Sequence, residues 1–143
     1  VVGVKMILED GSSHAVDSSD LAFQLCARAA FREAVRDSKP CLLEPIMKVE
    51  VEVPIEFQGG ASGDLASRRG LINGTDVKAG IVTIDAEVPL ANMFGYSTDL
   101  RSLTQGRGNY TMEFASFRKM PASFQEDIIA KAQKEREKAA AKK

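Results

Sequence analysis

Hydrophobic positions along this chain recur with two different periods, and the switches between them outline its elements. Met47, Val49, Val51 and Val53 alternate with Lys48, Glu50 and Glu52, the period of a strand with one buried face, and Pro54 ends the run. Phe57, Ala61 and Leu65 then recur every fourth residue, which predicts a helix from about Glu56 to Arg69, stopped by Gly70. A hairpin follows. Its arms are Leu71 to Val77 and Ile81 to Val88, its turn is Lys78-Ala79-Gly80, and Val82, Ile84, Ala86 and Val88 face inward. Residues 89–114 predict a second helix, a glycine-punctuated turn and a last strand. Met93, Tyr96, Leu100 and Leu103 share one helical face, and Phe94 and Arg101 lie together on another. Gly106 suits a left-handed position past the helix end, and Tyr110, Met112 and Phe114 alternate with Thr111 and Glu113 as one side of a half-buried strand. The order strand, helix, strand, strand, helix, strand predicts an α+β, ferredoxin-like βαββαβ unit. Its four-stranded sheet is antiparallel, with both helices on one face.

The flanks read differently. Residues 4–8 predict a strand closed by Glu9-Asp10-Gly11, and His14 and Val16 suit a second short strand. Asp17, Ser18 and Ser19 are cap candidates for a helix from Ser19 to Asp37, which should end before Lys39-Pro40. Phe23, Cys26, Ala27, Ala30, Phe31 and Ala34 cover much of that helix, leaving Gln24, Arg28, Arg32 and Arg36 as a narrow polar stripe. So apolar a helix predicts close packing against a sheet that lies mostly outside this chain, and the segment reads as the strand-plus-helix remnant of a second α+β domain. The chain also opens on Val1 inside a strand-like run, as a piece of a longer polypeptide would. After Phe117 a last helix is expected with Ser123 as its cap, docked by Phe124, Ile128 and Ile129. From Lys131 onward it passes into an Ala/Lys-rich tail that frays readily. The boundaries fall at 1–40, 41–118 and 119–143.

Composition narrows the function. The 143 residues are 44% hydrophobic, enough for a core, and the net charge of −1 rules out a uniformly basic nucleic-acid binder while leaving room for a local basic patch. Cys26 and Cys41 lack metal-type spacing, and buried, reduced thiols in a cytosolic protein account for them. No apolar run approaches the ~20 residues of a membrane helix. Gly59-Gly60-Ala61-Ser62-Gly63 lacks the Gly-Lys-Ser/Thr ending of a nucleotide loop and falls inside a helix, where close packing explains it. His14 is the single histidine, so a His-Cys or Ser-His-Asp site would have to run through it, and a turn or strand-end histidine is the better account. Glu50/Glu52 and Asp85/Glu87 alternate on the outer sheet face as solvated acids. No catalytic or metal constellation emerges.

That outer face also lacks the aromatic platform on which sheet-type RNA-recognition modules stack bases, and its acids would repel phosphate. Contact with RNA would therefore run through helix ends and turns, where the candidates are Arg68, Arg69, Lys78, Arg101 and Arg107.

Two runs carry a resemblance. Leu43-Glu44-Pro45-Ile46-Met47-Lys48-Val49-Glu50-Val51 and the stretch from Met93-Phe94-Gly95-Tyr96 through Leu100-Arg101-Ser102-Leu103-Thr104-Gln105-Gly106-Arg107-Gly108 resemble the C-terminal region of bacterial-type translation elongation factor G. Asp10-Gly11-Ser12-Ser13-His14 and the segment from Asp17 to Ala34 resemble the end of that family's domain IV. The resemblance implies that residues 1–40 close domain IV, the arm that enters the decoding site. Residues 41–118 would be domain V, which sits by large-subunit rRNA near the sarcin–ricin loop and the GTPase-associated centre. The parent would be a GTP-dependent ribosomal translocase of the cytoplasm whose GTP and Mg belong to a G domain outside this chain. The fragment itself would be monomeric, non-catalytic and free of cofactor and membrane. Arg101 and Arg107 keep the family pattern. By contrast, Ala66-Ser67-Arg68-Arg69-Gly70 has two arginines where the family commonly has three, and the hairpin turn around Lys78 also departs. The alternative reading is a ferredoxin-like regulatory or oligomerisation domain that uses its sheet as a protein interface. An acylphosphatase-like enzyme lacks the arginine-bearing anion loop after the first strand.

Overall fold

A computed structural model describes residues 1–140. The chain divides into two compact units, one of Val1–Pro40 and one from Cys41 onward.

In the first unit a single helix, α1 (Asp20–Asp37), is capped by Ser19, whose Oγ accepts from the Ala22 amide at 3.2 Å. No residue of α1 is buried, so the apolar surface of Leu21, Phe23 and Leu25 faces outward within this unit, and Cys26 on it, like Cys41 beyond Pro40, is exposed rather than buried as expected. Neither the strand expected at residues 4–8 nor the one at His14–Val16 forms. A strand needs a neighbour to take its N–H and C=O groups, and neither segment has a ladder partner among the described residues. Ser18 instead closes a turn, donating its amide to the His14 carbonyl at 3.2 Å while its Oγ accepts from the His14 amide at 2.6 Å.

The second unit is the expected βαββαβ fold. Strands β1 (Leu43–Pro54), β2 (Leu71–Lys78), β3 (Ile81–Pro89) and β4 (Asn109–Lys119) form one antiparallel sheet in the order β2-β3-β1-β4. Helices α2 (Gln58–Ser67) and α3 (Tyr96–Leu103) pack on it, and α4 (Ala122–Ala140) follows β4. Val49, Val51 and Val53 of β1 and Val82, Ile84, Ala86 and Val88 of β3 are buried beneath Ala61 and Leu65 of α2 and Tyr96 and Leu100 of α3. The alternation legible in the sequence thus becomes one continuous core.

Several boundaries move. A 3-10 turn, Ile55–Phe57, precedes α2, and another, Leu90–Asn92, stands where the second helix was expected to begin. α3 starts only at Tyr96, because Gly95 adopts φ 80° and breaks the helical path. Met93 is still buried, but from the preceding turn, and Leu103 is half-exposed. Ser123 lies inside α4 rather than capping it; the Gln125 amide bonds the Pro121 carbonyl at 3.1 Å. The β2–β3 turn has Ala79 at φ 50° and Gly80 at φ 83°, the two left-handed residues of a hairpin turn that follows the twist of its strands.

On β4 the expected burial holds only in part. Tyr110 packs on the core, but Met112 is 39% and Phe114 55% exposed. β4 is an edge strand, and the short α3 leaves its far half uncovered. Ile46 pairs with Ser116 and Met47 with Phe114, so Ala115 bulges out. Phe114 and Phe117 consequently meet with ring centroids 5.1 Å apart.

Close backbone approach fixes the glycine that ends α2. A Cβ at Gly70 would lie 2.5 Å from the Leu65 carbonyl oxygen that its own amide bonds at 2.9 Å. Gly70→Ala is therefore expected to lower unfolding free energy by about 2 kcal/mol. Gly63→Ala, inside α2 with nothing within 4 Å of the new methyl, should raise it by about 0.5–1 kcal/mol. Urea titration of the two variants checks the pair.

Candidate nucleic-acid interface

The five cations singled out by sequence fall into two groups. Arg68 and Arg69 end α2, where Arg69 takes the left-handed C-terminal position (φ 65°) that glycine usually fills. Its amide bonds the Ala66 carbonyl at 3.1 Å, and the Gly70 amide the Leu65 carbonyl, which satisfies the last turn of the helix. The guanidinium of Arg69 forks onto the buried Glu44 carboxylate at 3.1 and 2.6 Å and lies 4.3 Å over the ring of Phe124. One side chain so joins α2, β1 and α4. A planar bidentate pair of this kind fixes geometry as well as charge.

Arg68 is more deeply committed. Its side chain is 14% exposed, with Nε donating to Asp64 at 2.9 Å, one terminal nitrogen to the Asn92 carbonyl at 2.8 Å and the other to Asp99. Its Cζ stands 5.0 Å from the centre of the Tyr96 ring. Burial works against the charge, but hydrogen bonds and attraction from Asp64 and Asp99 outweigh it and hold the pKa above the ordinary arginine value. Arg68 and Arg69 therefore brace the helices, and little of either is left to meet a ligand.

The other three are outward. Lys78 pairs with Asp76 at 2.6 Å across an open surface at the hairpin tip, which raises the lysine pKa and lowers that of the aspartate. Arg107 pairs with Glu56 and lies 4.8 Å over Phe57, yet remains half-exposed. Arg101, on the exposed side of α3, makes no ion pair among the described residues.

The Gly-Arg-Gly turn that carries Arg107 is built by Thr104. Its buried hydroxyl donates to the Leu100 carbonyl at 2.7 Å and accepts from the Gly108 amide at 2.9 Å. A Cβ at Gly108 would stand 2.8 Å from that same oxygen. Gln105 (φ 53°) and Gly106 (φ 79°) complete the reversal, and the Gly106 amide bonds the Arg101 carbonyl at 2.8 Å. At the α2–α3 contact, Gly60 lets Leu103 approach: a Cβ there would be 3.3 Å from Leu103 Cδ1. The glycines of residues 59–63 that invited a phosphate-loop reading thus serve packing at Gly60.

The opposite sheet face carries mostly acid. Glu50 stands directly across from Asp85, a like-charge pair, while Lys48 lies between Glu87 and Glu113 and bonds the latter at 3.8 Å. Among the described residues no group of acids, histidines and cysteines could hold a metal ion, and no helix is long and apolar enough to cross a membrane.

Sequence missed the partners that immobilise Arg68 and Arg69. The Asp64–Arg68 spacing of four was a visible signal, whereas Glu44, Asn92 and Asp99 come together only through the fold.

Beneath Arg68, the Tyr96 hydroxyl is buried without a hydrogen-bond partner among the described residues, and its pKa is pushed up by burial, with Asp64 adding to the effect. In the unfolded chain a tyrosine ionises near ~10. The folded state holds the proton above that pH and the unfolded state releases it, so stability is full below pH ~10 and falls as pH rises further. Tyr96→Phe is expected to match or slightly exceed the parent at neutral pH and to flatten this alkaline loss. Urea midpoints at neutral pH and above ~10 test it.

Residues 41–128 match the family model described as Elongation factor G C-terminus, and residues 1–39 the model described as Elongation factor G, domain IV. Elongation factor G 1 of Syntrophus aciditrophicus is 53% identical over 140 residues, covering 98% of this chain and 20% of that relative. Elongation factor G of Rhodopirellula baltica is 54% identical over 135 residues, covering 94% of this chain and 19% of its own length. A crystal structure of ttk003000868 from Thermus thermophilus superposes with a TM-score of 0.74 at 42% identity, over 87% of this chain and 19% of that one. The chain spans about one fifth of the length of the curated relatives it matches.

Proposed function

The chain belongs to the elongation factor G family, and from that premise we propose that it forms the ribosome-contacting C-terminal region of a GTP-dependent factor for tRNA and mRNA translocation. Residues 1–40 are the close of domain IV, directed at the decoding site. Residues 41–118 are domain V, directed at large-subunit rRNA near the sarcin–ricin loop and GTPase-associated centre, and residues 119–143 add the closing helix and tail. The matched regions are domain IV and the C-terminus, not the G domain. GTP and Mg belong to that G domain, and this region contributes binding rather than catalysis. It acts as a monomer within a cytoplasmic factor.

The observation that carries the reading is Arg101, exposed on a rigidly held helix and free of intramolecular ion pairs among the described residues. Arg107 adds a second cation on the adjoining turn, and Lys78 a third at the hairpin tip. Arg68 and Arg69 support RNA contact indirectly, by holding α2 and its neighbours. Phosphate is the matching ligand, because an arginine fork can pair with two of its oxygens. The family assignment disfavours an oligomerising sheet, and its Glu50–Asp85 face would repel a copy of itself.

In the full-length factor, Arg101→Glu with Arg107→Glu is expected to weaken ribosome binding about tenfold or more, to reduce its salt dependence, and to leave the thermal midpoint of this region within a few degrees. Ribosome pelleting across a salt series, with circular dichroism as the folding control, measures both. Unchanged affinity in the folded double variant would refute the assignment of these arginines.

A further inference from the structure

Phe94 is 77% exposed, more than any other aromatic side chain among the described residues. A lone exposed aromatic is ordinary on a protein surface; what distinguishes this one is how firmly its backbone is held. Phe94 and Gly95 are the two central residues of a tight turn. The Tyr96 amide closes that turn on the Met93 carbonyl at 3.1 Å, and Gly95 supplies φ 80° and ψ −5° at the third position. The corner residues flanking Phe94 and Gly95 are anchored in the core, with Met93 5% and Tyr96 1% exposed. Outside those anchors, one guanidinium grips both ends of the segment, since Arg68 bonds the Asn92 carbonyl and the Asp99 carboxylate. The aromatic is thus displayed at the tip of a turn clamped at its base.

Rigid display lowers the entropy lost when a surface side chain is immobilised on binding. Seven residues on, α3 presents Arg101 on its exposed side; the short turn and the helical rise of 1.5 Å per residue between them keep the two Cα atoms within ~15 Å of each other. A flat apolar face beside a cation is the pairing that single-stranded nucleic acid selects: a base stacks and a neighbouring phosphate is neutralised. We propose that Phe94 is a stacking platform for one unpaired RNA base, with Arg101 taking an adjacent phosphate. This rests on the rRNA-binding reading above and adds to it a second chemistry, recognition of a base exposed outside a duplex.

Four single substitutions in the full-length factor, Phe94→Trp, →Tyr, →Leu and →Ala, separate stacking from plain apolar contact, with ribosome affinity as the readout. Stacking predicts that Trp and Tyr hold affinity within about threefold, whereas Leu and Ala lose about tenfold or more. Trp emission in the Phe94→Trp variant is expected to be quenched when 70S ribosomes are added. Retention of affinity by Leu, or loss by Ala without quenching in the Trp variant, would overturn the proposal. If Arg101→Glu weakens binding while Phe94→Ala does not, stacking fails and the phosphate reading stands. If neither changes affinity, both fail. Turn geometry is checked by circular dichroism and urea midpoint, which a solvent-exposed side chain should leave within error.

Discussion

In the second unit α2, α3 and the 3-10 turn that precedes α3 are tied together by the guanidinium of Arg68. It closes on a carboxylate one turn back in its own helix, on a carbonyl of the 3-10 turn after β3, and on a carboxylate in the first half of α3, while covering the ring of Tyr96. Burying an arginine this far is favourable only if its donors are satisfied and its charge is matched. Two aspartates and a carbonyl do so here. The sheet core beneath is made of valines, isoleucine and alanine, which would accept helices in several rotations. The directional bonds of Arg68 add what apolar packing lacks, a fixed link between the end of α2, the turn at Asn92 and Asp99 of α3.

The second constraint is how closely backbones approach at the helix ends. α2 stops where Gly70 comes too near the Leu65 carbonyl for any side chain, and β4 begins where Gly108 meets the Thr104 hydroxyl. Between them, Arg69 occupies a left-handed position without being glycine. Such a residue carries strain on the order of 1 kcal/mol, and the bidentate bond to Glu44 together with the Phe124 ring offsets it. Glu44 in turn would be a buried charge without a partner if Arg69 were absent. The pair also reaches α4, so the end of α2 and the start of the last helix are fastened by a single side chain.

Much of this architecture was legible because period-two runs on β1 and β3 coincide with buried faces: Val49, Val51 and Val53 against Val82, Ile84, Ala86 and Val88. Local signals also served for the hairpin turn at Ala79-Gly80 and the reversal at Gly106. Sequence failed where the outcome depends on a neighbour. Residues 4–8 are strand-like, but a strand is a pairing, and the partner is not supplied by the described residues. Met112 and Phe114 alternate correctly yet stay exposed, because α3 is too short to cover the edge strand. The site divides the same way. Basic residues are easy to read in a sequence, but whether an arginine is free depends on acids distant in the chain. Arg69 meets Glu44 across 25 positions and Arg68 meets Asp99 across 31, and those contacts commit both side chains to partners within the fold.

Charge distribution also bears on the proposed phosphate contact of a chain whose net charge is −1. On the sheet's outer face Glu50 faces Asp85 without a cation between them, and the lysine and arginine nearby, Lys48 and Arg118, pair with Glu113 and Glu87. That face is left acidic. On the helical side Asp64 and Asp99 pair with Arg68, Glu44 with Arg69 and Glu56 with Arg107, which leaves Arg101 without an ion pair among the described residues. Screening limits exposed charges to about 10 Å at moderate salt. A phosphate brought to α3, as proposed, would therefore feel Arg101 and Arg107 far more than the acids on the far side of the sheet. The helix and turn over residues 96–108 hold Arg101 and Arg107 on the side of the sheet away from that acidic face, which is the placement the proposed phosphate contact requires.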